Sequence, residues 1–206
     1  MSRRTRSLVV GGAALALVAG STTLPAQSAQ RWSIQVSPIF VAAFGSAYEG
    51  LENGLGLEAQ ARLTPSAWSF GFGIQGSSHG LTDLEENVTL AGIFVEPRRV
   101  FDMGTNQAPY LSGRVAILSQ SATISDPSFG SFDLSATGAQ FNVGGGVLFR
   151  LSPRVNLDLG ATLGIIYFGD VEVQSGGQSQ TFEGTSGNGQ NLVLRVGLAF
   201  GLGGRS

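Results

Sequence analysis

The single histidine, His79, sits in the run Gly76-Ser77-Ser78-His79-Gly80. That run matches the G-x-S-x-G of a hydrolase nucleophile elbow, where a strand-to-helix turn raises a serine for attack on an ester. Adjacent residues of an extended segment point to opposite sides, so Ser78, the serine of the match, cannot face His79. Ser77 and His79 do share a face, and with Glu85 or Glu86 they would make a lipid hydrolase. No helix follows, so no catalytic residue is assigned and no enzymatic activity is expected. Gly71-Phe72-Gly73-Ile74-Gln75-Gly76 fits the dinucleotide fingerprint and fails for the same reason, its glycines lying along one face of a strand. The sequence has no cysteine and one histidine, which excludes a disulfide framework and Cys- or His-rich metal sites. No acidic stretch has calcium-loop spacing. No metal and no cofactor is therefore expected.

Ionic chemistry is the stronger prospect. Seven charges, Glu58, Arg62, Glu96, Arg114, Arg150, Asp158 and Arg195, fall on segments whose polar face is otherwise Gly, Ser, Asn and Gln. Arginine forks can bridge several carboxylates at once in a confined space. A network of these seven would block a water channel, as a gate opened by rearranging pairs or as a permanent plug. A second set, Ile39, Val41, Leu118, Ile166 and Phe168, with Leu90 at its edge, falls on the same side further along. It reads either as a pocket for a small apolar molecule or as ordinary packing.

The elements that must hold these residues are strands. Apolar residues recur at every second position. Leu55, Leu57, Ala59, Ala61 and Leu63 alternate with Gly56, Glu58, Gln60 and Arg62. The same pattern runs through Trp68–Ile74, Phe141–Leu151, Val155–Tyr167 and Leu192–Leu202. Weaker versions span Trp32–Phe44, Leu90–Phe101 and Pro109–Leu118, with Pro97 leaving the facing of Glu96, Arg98 and Arg99 open, as at a bulge. This makes eight strands. Short turns fall at Thr64–Ala67, Asp102–Ala108 and Ser152–Arg154; long loops fall near Gly45–Gly54, Gly76–Asn87, Ser119–Thr137 and Gly169–Gly189. Such an alternation is the pattern of an outer-membrane barrel.

The faces support an inside-out assignment. A soluble barrel would turn a lysine- and glutamate-rich face to water, yet the chain has no lysine and only 13% charged residues. The apolar face is continuous and aromatic, so lipid is its natural partner. Trp32, Trp68 and Tyr110 would form one aromatic girdle, and Tyr48 and Tyr167 the other. The 31 glycines suit a narrow lumen with little room for side chains.

Met1–Ala29 reads as a cleavable signal peptide, with Arg3, Arg4 and Arg6 ahead of the apolar Leu8–Ala19 run. Residues 30–206 form the barrel domain. Without the leader, nine arginines face 14 carboxylates, which argues against a nucleic-acid partner. Ten of the acids, among them Glu49, Glu52, Asp83 and Glu183, lie in the long loops, where no arginine falls. Those loops read either as a solvated surface or as a site for divalent cations bridging lipid phosphates.

With strands, loops and leader placed, Arg31–Arg205 resembles the small eight-stranded outer-membrane barrels of Gram-negative bacteria, the OmpA/OmpX/OmpW-like group. The resemblance rests on architecture, not on a motif. It implies an all-β, antiparallel, up-and-down transmembrane barrel with periplasmic termini. It also implies insertion by the barrel-assembly machinery and contact with outer-membrane lipids and lipopolysaccharide. One departure is that Phe200 is not terminal but is followed by Gly201–Ser206. Members serve as anchors, adhesins, small-molecule channels or lipid-modifying enzymes. The expected role is non-enzymatic, in envelope integrity or surface contact, with a narrow channel or binding barrel for small apolar molecules as the alternative.

Overall fold

The computed structural model describes residues 31–45, 48, 50–82, 84–126, 130–175, 178–182 and 188–202. The leader and the acids Glu49, Asp83 and Glu183 lie outside them. Among the described residues nine strands form: β1 (Trp32–Phe44), β2 (Gly54–Leu63), β3 (Trp68–Leu81), β4 (Leu84–Val100), β5 (Gln107–Asp126), β6 (Gly130–Ser152), β7 (Val155–Ser175), β8 (Gln178–Phe182) and β9 (Asn188–Leu202). Every pairing is antiparallel. β1 to β7 pair in chain order, and β9 pairs with both β7 and β1, which closes an eight-stranded barrel. β8 is the one strand not foreseen. It pairs with β7 alone, over Val171–Ser175, beyond the stretch that β9 covers.

Closure decides the exterior. A closed ladder leaves no edge, so backbone N–H and C=O groups bond within the protein, as hydrocarbon requires. Alternation then sends one residue of each pair outward. Phe72, Val95, Val115, Phe141 and Ile165 are successive partners across five strands, and all are exposed. Further from the short turns the outward row becomes Ser78, Thr89, Ser121 and Ser135. The apolar belt ends there, although the strands continue. β5 and β6 pair as far as Asp126 and Gly130, so much of the expected Ser119–Thr137 loop is ladder. The Gly76–Asn87 region likewise stays paired up to Leu81 and Leu84, after a register shift at Gly80.

Two sequence ambiguities are resolved by register. β4 passes Pro97 without a bulge: Val95 faces Val115 and Arg98 faces Ser112 in one unbroken register. Glu96 and Arg98 therefore point inward, and Arg99 points outward, its guanidinium 5.6 Å from the Trp68 ring. The last strand is equally settled. Phe200 pairs with Ile34 and Val155 and is exposed on the belt, and Leu202 reaches Trp32.

Placing arginine at Val115 would set a charge mid-belt, at a cost of about 2–4 kcal/mol, whereas Thr89→Arg beyond the belt should cost at most about 1 kcal/mol. Urea titration of the barrel refolded in lipid vesicles measures both. Equal losses at the two positions would refute the belt.

Candidate functional site in the barrel lumen

The lumen is filled by layers stacked from the short-turn end to the loop end. In the ionic layer, Glu58 on β2, Glu96 on β4 and Asp158 on β7 face Arg62 on β2, Arg98 on β4, Arg114 on β5 and Arg195 on β9. All seven are at most 5% exposed. Glu96 is the hub, paired with all four guanidinium groups. Arg62 Nη1 lies 3.2 Å from Glu96 Oε1, and Arg114 Nε donates to Oε2 at 2.8 Å. Arg114 and Arg195 also donate to the two oxygens of Glu58, at 2.8 and 2.9 Å. Asp158 receives Arg98 Nη1 at 2.8 Å, the Tyr110 hydroxyl at 2.7 Å and Gln35 Nε2 at 2.7 Å.

Six of the seven charges expected in this network, Glu58, Arg62, Glu96, Arg114, Asp158 and Arg195, come together there. The seventh, Arg150, is placed nearer the short-turn mouth. It lines a cavity of about 40 Å³ with Arg62, Arg98, Ser33, Thr64 and Ser69. Arg98 joins the layer in addition; its facing cannot be read past Pro97 from sequence. Tyr110 corrects the girdle assignment. It is 2% exposed, lies inside, and holds the Arg98 guanidinium 4.4 Å from its ring centroid. Tyr48 is likewise buried rather than lipid-facing, whereas Trp32, Trp68 and Tyr167 do lie on the exterior.

Glycine makes room for these side chains. A Cβ at Gly160 would come within 2.5 Å of the Tyr110 hydroxyl and 3.2 Å of Arg195 Nε. The inner-face glycines thus seat arginine and tyrosine rather than merely narrowing the bore.

Above the ions lies a layer of amides. Asn142 Nδ2 donates to Asn191 Oδ1 at 2.8 Å, and Gln75 Nε2 to Gln140 Oε1 at 3.2 Å. Phe94 bridges the ionic layer and the apolar loop half, with the Arg114 guanidinium 3.8 Å from its ring centroid. In that half Leu118, Ile166 and Phe168 pack with Leu90, Phe94 and Tyr48, and Ile39 and Val41 pack with Val193. The residues expected to line a pocket are thus all inside, in two clusters. The cavity beside them is about 20 Å³, room for roughly one water rather than a solute. Tyr48 reaches in from the β1–β2 connection, edge-on to Phe168 at 6.1 Å.

Ser77 and His79 do meet. Ser77 Oγ lies 3.0 Å from His79 Nε2, and His79 Nδ1 lies 2.9 Å from the Glu52 carbonyl oxygen. That carbonyl can only accept, so Nδ1 carries the proton and Nε2 accepts from serine. His79 is 1% exposed, and the pair lines the 20 Å³ cavity, which leaves an ester no place to bind. Among the described residues no cluster of three His, Cys, Asp or Glu could hold a metal.

No protein-family model matches the chain, and no curated sequence matches it. Solved structures do. Neisserial surface protein A aligns at a TM-score of 0.64 with 19% identity, over 83% of this chain and 97% of its own. Ail, the attachment invasion locus protein of Yersinia pestis, gives 0.52 with 14% identity, over 83% and 99%. The outer-membrane protein AlkL gives 0.51 with 15% identity, over 91% and 100%. The fold is that of a small outer-membrane β-barrel. At these identities the likeness concerns the barrel itself, and the lumen must be read from its own residues.

Glu96→Gln would leave four buried guanidinium groups facing two carboxylates and should cost about 3–5 kcal/mol, the usual loss on breaking a buried pair. Asp133→Asn on the exposed loop side should change stability by no more than about 0.5 kcal/mol. Urea unfolding in vesicles compares them. A loss below about 1 kcal/mol for Glu96→Gln would place it with surface pairs and remove its role as hub.

Proposed function

We propose that the chain is a non-enzymatic outer-membrane barrel with a closed lumen, serving envelope integrity or contacts at the cell surface. The observation that carries this reading is the filling of the lumen by three layers in series, ionic, amide and apolar. The cavities beside the ionic and apolar layers are about 40 and 20 Å³. A continuous apolar belt supports residence in a bilayer, and the likeness to outer-membrane barrels supports which bilayer. Export follows from the signal peptide at Met1–Ala29, and insertion from the barrel-assembly machinery.

The partners in this reading are outer-membrane lipids and lipopolysaccharide along the belt. Beyond it the surface is acidic. Glu52, Asp133, Asp170 and Glu172 are exposed at the loop end, and Arg31 and Arg154 are exposed at the other. In this reading the acidic end is outermost. The alternative, passage of small apolar molecules, requires Tyr48 and its neighbours to leave the loop-half lumen.

In planar bilayers the purified barrel should give no discrete conductance steps, and liposomes carrying it should swell in apolar solutes no faster than empty ones. Steps or accelerated swelling would favour the channel. Fractionation should recover the protein with the outer membrane; recovery in the soluble periplasm would sink the assignment. His79→Ala should leave the lipid mass spectrum unchanged, since Ser77 and His79 act as packing; an altered spectrum would revive a hydrolase.

A further inference from the structure

The ionic layer does not balance. Four guanidinium groups, Arg62, Arg98, Arg114 and Arg195, are buried against three carboxylates, Glu58, Glu96 and Asp158. A buried excess charge is costly unless something compensates it. The excess can be located. Arg114 and Arg195 lie between Glu58 and Glu96, each touching both. Arg62 and Arg98 face the short-turn mouth and line its 40 Å³ cavity. Arg98 is 1% exposed. Its Nε is taken by Glu96 and its Nη1 by Asp158, while Nη2 is buried without a hydrogen-bond partner. In the same wall Gln35, also 1% exposed, has its Oε1 unpartnered. Ser69 Oγ, between Arg62 Nε at 3.1 Å and Thr64 Oγ1 at 2.8 Å, adds a hydroxyl to the same wall.

We propose that this mouth cavity binds one small monovalent anion of the halide class, held against Arg98 and Arg62. The guanidinium groups of Arg98 and Arg62 supply the attraction, and Arg150 lines the same wall. The volume is room for about three waters, or for one halide with part of its hydration shell. A monovalent ion matches the single excess guanidinium of the ionic layer, whereas sulfate or phosphate would overcompensate it. Because the site forms only when the barrel closes, binding is linked to folding, and stability rises as the anion saturates the site.

The test uses the full barrel refolded in detergent micelles in sodium methanesulfonate, with sodium bromide exchanged in at constant ionic strength. The midpoint of thermal unfolding, read from heat-modifiable gel mobility, should rise with bromide and saturate. Ala199→Leu fills the cavity wall without touching a charge and should abolish the rise. Crystals of the unaltered protein grown in bromide should show anomalous scattering beside Arg98, which needs no variant. Absence of an anion-specific rise, an undiminished rise in Ala199→Leu, or bromide density elsewhere only would each overturn the site.

Discussion

Glu96 holds together the interior of this barrel. One carboxylate pairs with four guanidinium groups arriving from β2, β4, β5 and β9, so strands distant along the barrel wall are tied through two oxygen atoms. In water four such pairs would be worth little, since screening and the entropy of fixing the side chains offset the attraction. Here every participant is nearly or fully buried, and removing a carboxylate strands the guanidinium groups around it. Much else depends on it. Tyr110 must turn inward to donate to Asp158, Gln35 must reach the same carboxylate, and Gly160 must lack a side chain so that Tyr110 and Arg195 fit.

The outward face obeys the opposite demand. Hydrocarbon accepts no unpaired backbone group and no charge, so the ladder closes and the belt carries Leu, Ile, Val and Phe. Even the prolines comply. Pro38 and Pro97 both point outward, and although each removes one ladder donor, the register on either side of it is the same. The two faces are therefore one solution. A strand of period two that gives lipid its apolar residues must turn all its polar ones into a space too narrow for bulk water.

The same coupling decides which residues are legible in the sequence. Glu58, Arg62, Asp158 and Arg195 each sit in a clean alternation and Arg114 in a weaker one, and parity alone sends them inward. Arg98 is hidden because Pro97 resembles a break, and only the neighbouring strands show that the pleat continues through it. Tyr110 misleads for another reason. It shares parity with the inward Arg114 and Leu118, but tyrosine near a strand end suggests an interfacial girdle. Residue preference pulls against periodicity, and periodicity is the better guide. Tyr48 and the Ser77–His79 contact with the Glu52 carbonyl depend on how the β1–β2 connection folds back over the lumen, which no local pattern encodes. β8 escapes a sequence reading because its ladder exists only against β7.

The stacking order bears on whether the ionic layer could act as a gate. A gate needs one arrangement of pairs to exchange for another of similar energy, with an open path on the far side. The first condition is approached here, since Glu58 and Glu96 already share Arg114 and Arg195. The second is not met by the ions alone. Past them lie the Asn142–Asn191 and Gln75–Gln140 amides, and past those the cluster of Leu118, Ile166, Phe168 and Tyr48. Swapping salt bridges at Arg114 disturbs Phe94, whose ring it covers, but leaves the contacts among Leu118, Ile166, Phe168 and Tyr48 in place. Conversely, lifting Tyr48 exposes apolar side chains to water while the ions below stay paired. The two closures meet at the Arg114–Phe94 contact, yet neither opens the path alone, so a conducting state would require both to rearrange. That series arrangement favours a permanent plug over a switch.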